Sequence, residues 1–318
     1  MPNDLITVLG ASGLLGSAVA ATLAERPVRL RLVSRHPGPV PSGSAAVETV
    51  AADLTEPGVL EDVVRDAGAV LCFVKHTGGW RDAGSTDAER VNAGIMRTLV
   101  GAARRGATQP GLIVVYAGSA SQMGPPTRVP LDGTESDQPD VAFDRQKLDA
   151  ERELMRAARD GVLRGVSLRL PVVFGSVGGA TDNGVVTAMT RRALSGAELT
   201  VWDGGAVRRD LLNVADAAAA FVAALDHAAA LTGRSWLVGT GHGVRLDDLF
   251  SGVADAVAGH TGGPPVPVVS VPAPATATAG DASDLVLDSR PFRTITGWHP
   301  RVALGDGLRD IVASLATV

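Results

Sequence analysis

The sequence predicts an α/β protein in which a doubly wound parallel sheet is followed by a smaller C-terminal α/β lobe. Three observations lead there. Short β-branched runs alternate with amphipathic stretches through the first half, as in successive βαβ units. The glycine-rich segment Gly10-Ala11-Ser12-Gly13-Leu14-Leu15-Gly16 falls between the first such run and the first helical stretch. The second half keeps both kinds of segment but less regularly. The length of 318 residues accommodates one large domain or two coupled lobes. Residues 1–170 are assigned to the sheet domain, with 210–235 returning to it, and 171–318 mainly to the second lobe.

Strands are expected near 5–9, 28–33, 47–50, 69–74, 112–116 and 165–170. Helices are expected near 14–24, opened by the glycine segment, and near 58–66, 88–105 and 143–160. The last carries Phe143-Asp144-Arg145-Gln146-Lys147-Leu148, with apolar and charged residues at helical spacing. Beyond residue 170, a helix at 185–194 precedes short strands around 199–202 and 209–213. An alanine-rich helix at 215–229, a strand at 235–238, a helix at 246–258 and a strand at 266–271 come next. The stretch 272–281, rich in Pro, Ala and Thr, reads as a surface loop, and a helix at 304–316 closes the chain.

Composition narrows the classes. Hydrophobic content of 45% and charged content of 20%, with a mean hydropathy of +0.18, describe an ordinary globular protein. A net charge of −5 and dispersed arginines argue against nucleic acid as a partner. No apolar run approaches the ~20 residues that span a membrane, so no membrane partner is expected. The N-terminus leads straight into a strand without a signal-like segment. The single cysteine, Cys72, lies in an apolar run and reads as a core residue of a cytoplasmic protein. Six scattered histidines and one cysteine offer no metal-ligand spacing.

The glycine segment carries the first chemistry. Gly10, Gly13 and Gly16 permit a tight turn, close backbone approach to a pyrophosphate and close packing of helix on sheet. Ser12, Leu14 and Leu15 complete the turn, where the helix N-terminus favours an anion. After the second strand comes Ser34-Arg35 rather than the acidic residue that holds the ribose hydroxyls of NAD. A hydroxyl next to a guanidinium suits a 2′-phosphate, which points to NADPH. After the third strand, Asp53 either accepts from the adenine amino group beside Leu54 or caps the helix beginning near Pro57.

Of 29 basic residues only two are lysines, Lys75 and Lys147. Phe143 and Lys147 are four apart and share a helix face. A tyrosine paired this way with a lysine is a proton donor, because the ammonium lowers the phenol pKa. Phe143 has the ring without the hydroxyl.

Together these features resemble the extended short-chain dehydrogenase/reductase family, whose members are NAD-dependent epimerases, dehydratases and reductases built on a Rossmann domain. The resemblance runs from Gly10 to Thr296-Gly297-Trp298-His299-Pro300. It implies that Gly118-Ser119-Ala120-Ser121-Gln122-Met123-Gly124 carries the catalytic serine, at Ser119 in preference to Ser121. It puts Phe143 at the tyrosine position and Lys147 at the lysine position, 24 and 28 residues beyond Ser119. Lys147 then holds the nicotinamide ribose, and Pro171 lines the cofactor.

The segments at 26–31, 143–148 and 161–171 look like the 4-ketoreductases of dTDP-deoxysugar biosynthesis in actinomycete antibiotic pathways. The reaction so implied is NADPH-dependent reduction of the 4-keto group of a dTDP-4-keto-6-deoxyhexose, already deoxygenated at C2. Arg209-Asp210 matches a pair found in nucleotide-sugar members of the family, in which Arg209 reaches a diphosphate. Asp216 is expected to cap the alanine-rich helix. Asn183 and Arg191 or Arg192 are further diphosphate candidates; those two arginines are adjacent, so at most one faces a ligand. Arg192 is the preferred of the two. The loop Lys75-His76-Thr77-Gly78-Gly79-Trp80-Arg81 covers the sugar, with Trp80 a wall for the ring or an anchor for the loop. His76 is an alternative acid or a solvated loop residue. Family members often pair through the helices that correspond to 88–105 and 143–160, so the resemblance allows a homodimer.

Phe143 leaves three explanations open: an introduced inactivating substitution, which is preferred, a natural enzyme with another proton donor, or a catalytically silent NADP(H)-binding homologue. A nucleotide-sugar epimerase or dehydratase is the other enzymatic reading.

Overall fold

The computed structural model describes residues 5–78, 83–126, 128–178, 180 and 184–317. β1 (Leu5–Leu9), α1 (Leu14–Ala24), β2 (Arg29–Ser34), β3 (Ala46–Ala51), α2 (Val59–Val64) and β4 (Ala67–Cys72) open the chain. The next crossover is α3 (Thr86–Glu89), a π-helical turn over Arg90–Gly94, and α4 (Ile95–Arg104). β5 (Ile113–Ser119), α5 (Ala142–Arg159) and β6 (Arg164–Leu170) complete the first half. The second half holds β7 (Val172–Phe174), α6 (Val185–Leu194), β8 (Leu199–Trp202), β9 (Arg208–Asn213), α7 (Val214–Asp226) and α8 (Ala228–Leu231). It continues through β10 (Arg234–Leu237), β11 (Gly243–Arg245), α9 (Leu246–Thr261), β12 (Val268–Val271), α10 (Arg290–Thr296) and α11 (Leu304–Ala316).

The expected doubly wound sheet is present. Seven strands run in the order β3-β2-β1-β4-β5-β6-β10, and every pairing in it is parallel. Its inner strands are apolar on both faces because helices cover both sides. On one side α1 and α7 pack against each other, with Ala217, Ala218, Ala220 and Ala224 fully buried; small side chains let the two helices approach closely. Phe73 meets Phe221 edge to face at 4.8 Å. On the other side α2, α4 and α5 cover Val70, Cys72, Val114 and Tyr116. A separate core, including Phe174, Leu199, Leu249, Val253 and Ile311, joins α6, α9 and α11 to the small sheets β11-β9-β7 and β12-β8.

β7, β11 and α10 are not foreseen in the sequence. The two strands have three residues each and exist through pairing with β9. The expected cap at Asp216 is corrected: Asn213 is the N-cap of α7, accepting from Ala215 N at 2.9 Å. Asp216 lies in the first turn and accepts from Arg301 N and Val302 N at 2.8 and 3.0 Å. It therefore holds the 298–302 segment against α7. Among the described residues no helix is long and apolar enough to cross a membrane.

Candidate active site

The strand order reverses between β1 and β4, where open α/β sheets bind ligands outside the carboxyl ends of their strands. The loop after β1 is the glycine segment. Gly10 has φ +83°, and a Cβ there would lie 3.1 and 3.2 Å from the backbone of Phe73 and Val74. The turn and the loop after β4 thus touch through backbone. Gly10 N and Ala11 N both donate to Val33 O, fixing the turn to the end of β2. At Gly16 a Cβ would sit 2.2 Å from Gly10 O, so α1 can start this close to β1 only with glycine there. Ser12 and Gly13 are exposed, and no side chain caps α1. The first-turn N–H groups of α1, from Leu14, Leu15 and Gly16, face an open turn. The turn fits the pyrophosphate of a dinucleotide.

Beyond β2, Ser34 is buried and donates its hydroxyl to His36 O at 3.1 Å. Arg35 is the exposed member of the pair. Asp53 is exposed, and its carboxylate accepts from Thr55 N and Thr55 Oγ1 at 2.9 and 2.7 Å. Those bonds hold its pKa below the ordinary value, and Arg35 and Arg90 add to the effect. The capping alternative for Asp53 is corrected, because α2 begins after Gly58, in a left-handed conformation. Leu54 is buried in the core and Pro171 is half-buried after β6.

The end of β5 and the start of α5 meet through side chains. Ser119 caps the short 3-10 segment Ala120–Met123, and Gln122 Oε1 accepts from Ser119 N at 2.6 Å. The Ser119 and Ser121 hydroxyls are 2.7 Å apart, and Ser121 Oγ is 2.5 Å from Asp144 Oδ1. Asp144 is 6% exposed. Burial is the largest influence on its carboxyl and raises its pKa, against the Ser121 bond, which lowers it. Half-buried Phe143 precedes it, and Lys147 stands one turn further on. Lys147 is buried, with Nζ 4.3 Å from the Tyr116 ring centroid. Burial lowers its pKa to about 8, and Lys75 pushes the same way. Glu151, further along α5, binds Arg169 of β6 and accepts from Ser167 Oγ at 2.7 Å, which fixes α5 to the sheet. The sequence singled out Ser119, Ser121, Phe143 and Lys147; the fold links Ser119 and Ser121 through Asp144 to α5, the helix that carries Phe143 and Lys147. Asp144 was missed.

The loop after β4 is tied down beside them. His76 N donates to Asn92 Oδ1, Asn92 Nδ2 to Gln146 Oε1, and Gln146 Nε2 to Ala83 O, at 2.8, 2.8 and 2.7 Å. Asn92 sits in the π-helical turn, a local feature that often marks functional sites. His76 is half-buried, and its Nδ1 accepts from Gly78 N at 3.2 Å. Trp80 and Asn183 lie outside the described residues.

Two diphosphate candidates have other partners here. Arg209 donates to the carbonyls of Gly280, Asp281 and Ser283. It therefore anchors the Pro/Ala/Thr loop in place of facing a diphosphate. Its neighbour Asp210, fully buried, accepts from Thr240 N, Thr240 Oγ1, Gly241 N and Leu287 N. Arg192 is exposed and its Nε donates to Glu198 O. Among the described residues no group of His, Cys, Asp and Glu is arranged to hold a metal.

Comparisons with known proteins agree with this geometry. The model of a family described as the NAD dependent epimerase/dehydratase family matches residues 6–239. A UDP-glucose 4-epimerase of Corynebacterium glutamicum is 25% identical over 93% of this chain and 90% of its own length. Among solved structures, a Tyr→Phe mutant of the UDP-glucuronic acid 4-epimerase of Bacillus cereus, in complex with UDP-4-deoxy-4-fluoro-glucuronic acid and NAD, superposes with a TM-score of 0.83. It is 18% identical over 98% of this chain and 99% of that one. RMD from Pseudomonas aeruginosa, complexed with NADPH, gives a TM-score of 0.78 at 22% identity, covering 99% of both chains.

Proposed function

This chain belongs to the NAD dependent epimerase/dehydratase family, and from that premise we propose that it is an NADPH-dependent ketoreductase. Its substrate is the 4-keto group of a nucleoside-diphosphate 6-deoxyhexose, in the dTDP series. The observation that carries the reading is the end of β2, where exposed Arg35 stands in place of a ribose-binding carboxylate. A guanidinium there favours a 2′-phosphate, hence a dissociable reductant over a permanently recycled NAD. RMD, of the same fold, was solved with NADPH. Chemistry at carbon 4 is in keeping with the C. glutamicum relative, a 4-epimerase. The dTDP form rests on the likeness of three segments to deoxysugar ketoreductases.

When bound, the nicotinamide supplies hydride to the carbonyl carbon. The residues of this chain bind and orient. First-turn N–H groups of α1 hold the pyrophosphate, Lys147 the ribose, and the Ser119 hydroxyl the ketone oxygen. Phe143 contributes a ring wall and no proton. Loss of a general acid typically lowers rate ~10²–10⁴-fold, so Phe143→Tyr is expected to raise turnover by at most that order, and by less where another side chain already delivers the proton.

The test is NADPH oxidation with a dTDP-4-keto-6-deoxyhexose, using the unaltered chain and Phe143→Tyr, with dinucleotide affinities measured in parallel. A reductase binds NADPH more tightly than NADH, loses that preference in Arg35→Asp, and gains turnover in Phe143→Tyr. A second reading, a UDP-sugar 4-epimerase, is favoured by the name of the C. glutamicum relative. It predicts tightly held NAD and interconversion of UDP-glucose and its 4-epimer without net oxidation of cofactor. Tight NADPH binding with no turnover in either chain would instead mark a silent dinucleotide-binding protein.

A further inference from the structure

The phenol is absent at position 143, yet one residue later stands a buried carboxyl hydrogen-bonded towards the serine that faces the ketone. We propose that Asp144 supplies the proton for the ketone oxygen through Ser121 and Ser119, an acid relay that replaces the tyrosine. This rests on the reductase reading above and adds the source of its proton.

The geometry is continuous. Ser119 Oγ and Ser121 Oγ lie 2.7 Å apart, and Ser121 Oγ lies 2.5 Å from Asp144 Oδ1. Both distances are within the range of O–H···O bonds. The direction of the chain depends on one proton. With Asp144 ionised, Ser121 must donate to the carboxylate, Ser119 can donate to Ser121, and no hydroxyl hydrogen points outward. With Asp144 protonated, its O–H donates to Ser121, Ser121 to Ser119, and Ser119 to the ketone oxygen. As the carbonyl carbon takes hydride from the reduced nicotinamide, the C=O π pair moves to oxygen. That oxygen takes the Ser119 proton, Ser119 takes that of Ser121, and Ser121 takes that of Asp144. The products are the alcohol, the oxidised nicotinamide and the Asp144 carboxylate, which regains a proton from solvent.

The surroundings of Asp144 shift its titration upward. It is 6% exposed, so burial penalises the carboxylate; the Ser121 bond opposes, Asp140 adds a like charge and Arg145 opposes. The 3-10 segment facing it brings the Ser121 hydroxyl and no ionisable group. Lys147, on the same helix, is turned to the Tyr116 ring. Asp144 acts through two hydroxyls and is a positioning residue; Ser119 is the group that touches the ketone.

The experiment compares the unaltered chain with Asp144→Asn and Ser121→Ala, each also combined with Phe143→Tyr. Asparagine can still accept from Ser121, so the local structure is kept while the transferable proton is lost. Expected is a fall in kcat of about 10²-fold or more in either variant, with KM and NADPH affinity unchanged. A variant carrying both Asp144→Asn and Ser121→Ala should lose no more than either alone. In the unaltered chain kcat should decline as pH rises through the Asp144 titration, and Asp144→Asn should lack that limb. Phe143→Tyr should rescue both variants. Infrared titration of the ligand-free protein gives a readout independent of turnover: a carboxylic-acid band persisting above the usual aspartate range and missing in Asp144→Asn. Unchanged kcat and an unchanged pH limb in Asp144→Asn overturn the relay while leaving the reductase standing. Absence of the infrared band overturns it as well. If no chain turns over the ketone, even with Phe143→Tyr, the reductase reading fails, and the band alone then decides whether Asp144 stores a proton.

Discussion

Lys147→Met should stabilise the ligand-free protein near neutral pH while weakening its hold on the dinucleotide. Lys147 is buried, and burial brings its pKa from the ordinary 10.5 to about 8. At about 1.4 kcal/mol for each tenfold change, that depression means the charged form costs the folded state about 3 kcal/mol. The Tyr116 ring, 4.3 Å from Nζ, returns on the order of 1 kcal/mol of cation–π attraction. Methionine fills similar space and packs against the same ring. Glu151 keeps Arg169 as its partner, so no carboxylate is stranded. The net expectation is a gain of about 2 kcal/mol in unfolding free energy near pH 7.

The sign reverses in a defined window. Below about pH 8 the lysine is charged in both folded and unfolded chains, and the full penalty applies. Between about 8 and 10.5 the unfolded chain binds the proton and the folded one does not, so the stability of the unaltered protein rises with pH. The advantage of methionine should therefore shrink by about 3 kcal/mol across that range. Urea unfolding of both chains at a series of pH values reads this directly, and titration with NADPH reads the loss of the ribose contact. A less stable Lys147→Met protein at neutral pH, or a gap that does not change with pH, would refute the account of Lys147 as a buried charge retained for binding.

Two further substitutions test the frame around the site. Gly16→Ala puts a methyl group 2.2 Å from Gly10 O; relief requires backbone movement, with a cost of about 1–3 kcal/mol and loss of NADPH binding, measured by calorimetry and titration. Asp210→Ala removes an acceptor serving four donors in a fully buried position. It should cost about 3–5 kcal/mol in urea unfolding, and an effect below about 1 kcal/mol would mean that water replaces the carboxylate.

The features legible in the sequence are those whose physics is local. The turn from Gly10 to Gly16 could be read because a tight βα connection and close helix packing each demand glycine at a set spacing. Ser119 and Lys147 followed from a family pattern of intervals, and Phe143 from its place one helical turn before the lysine. Asp144 escaped notice because an acidic residue in the first turn of a helix is ordinary. What distinguishes it is burial and a bond to Ser121, 23 residues earlier. β7 and β11 were invisible for a related reason: three residues carry no periodic signal, and only pairing with β9 makes them strands. α10 had a local signal, proline in its first turn and Gly297 beyond its end, and was passed over beside the Pro/Ala/Thr loop.

The polar residues of the second half show the division most clearly. Asn213 and Asp216 are both competent caps, and sequence alone gives no means of choosing. The choice falls to the chain at 301–302, whose N–H groups reach Asp216 from 85 and 86 residues away. Arg209 looked like a phosphate ligand because a guanidinium suits phosphate oxygens, but the 280–283 carbonyls occupy it. The sequence by itself determined the alternation of strands and helices, the glycine turn and the missing phenol, since each depends on neighbours within a few residues. Tertiary structure alone decided which carboxyl is buried, which hydroxyls join into a chain and which arginine has other partners. Desolvation and hydrogen bonding depend on what distant segments bring within about 3 Å, and no local pattern encodes that.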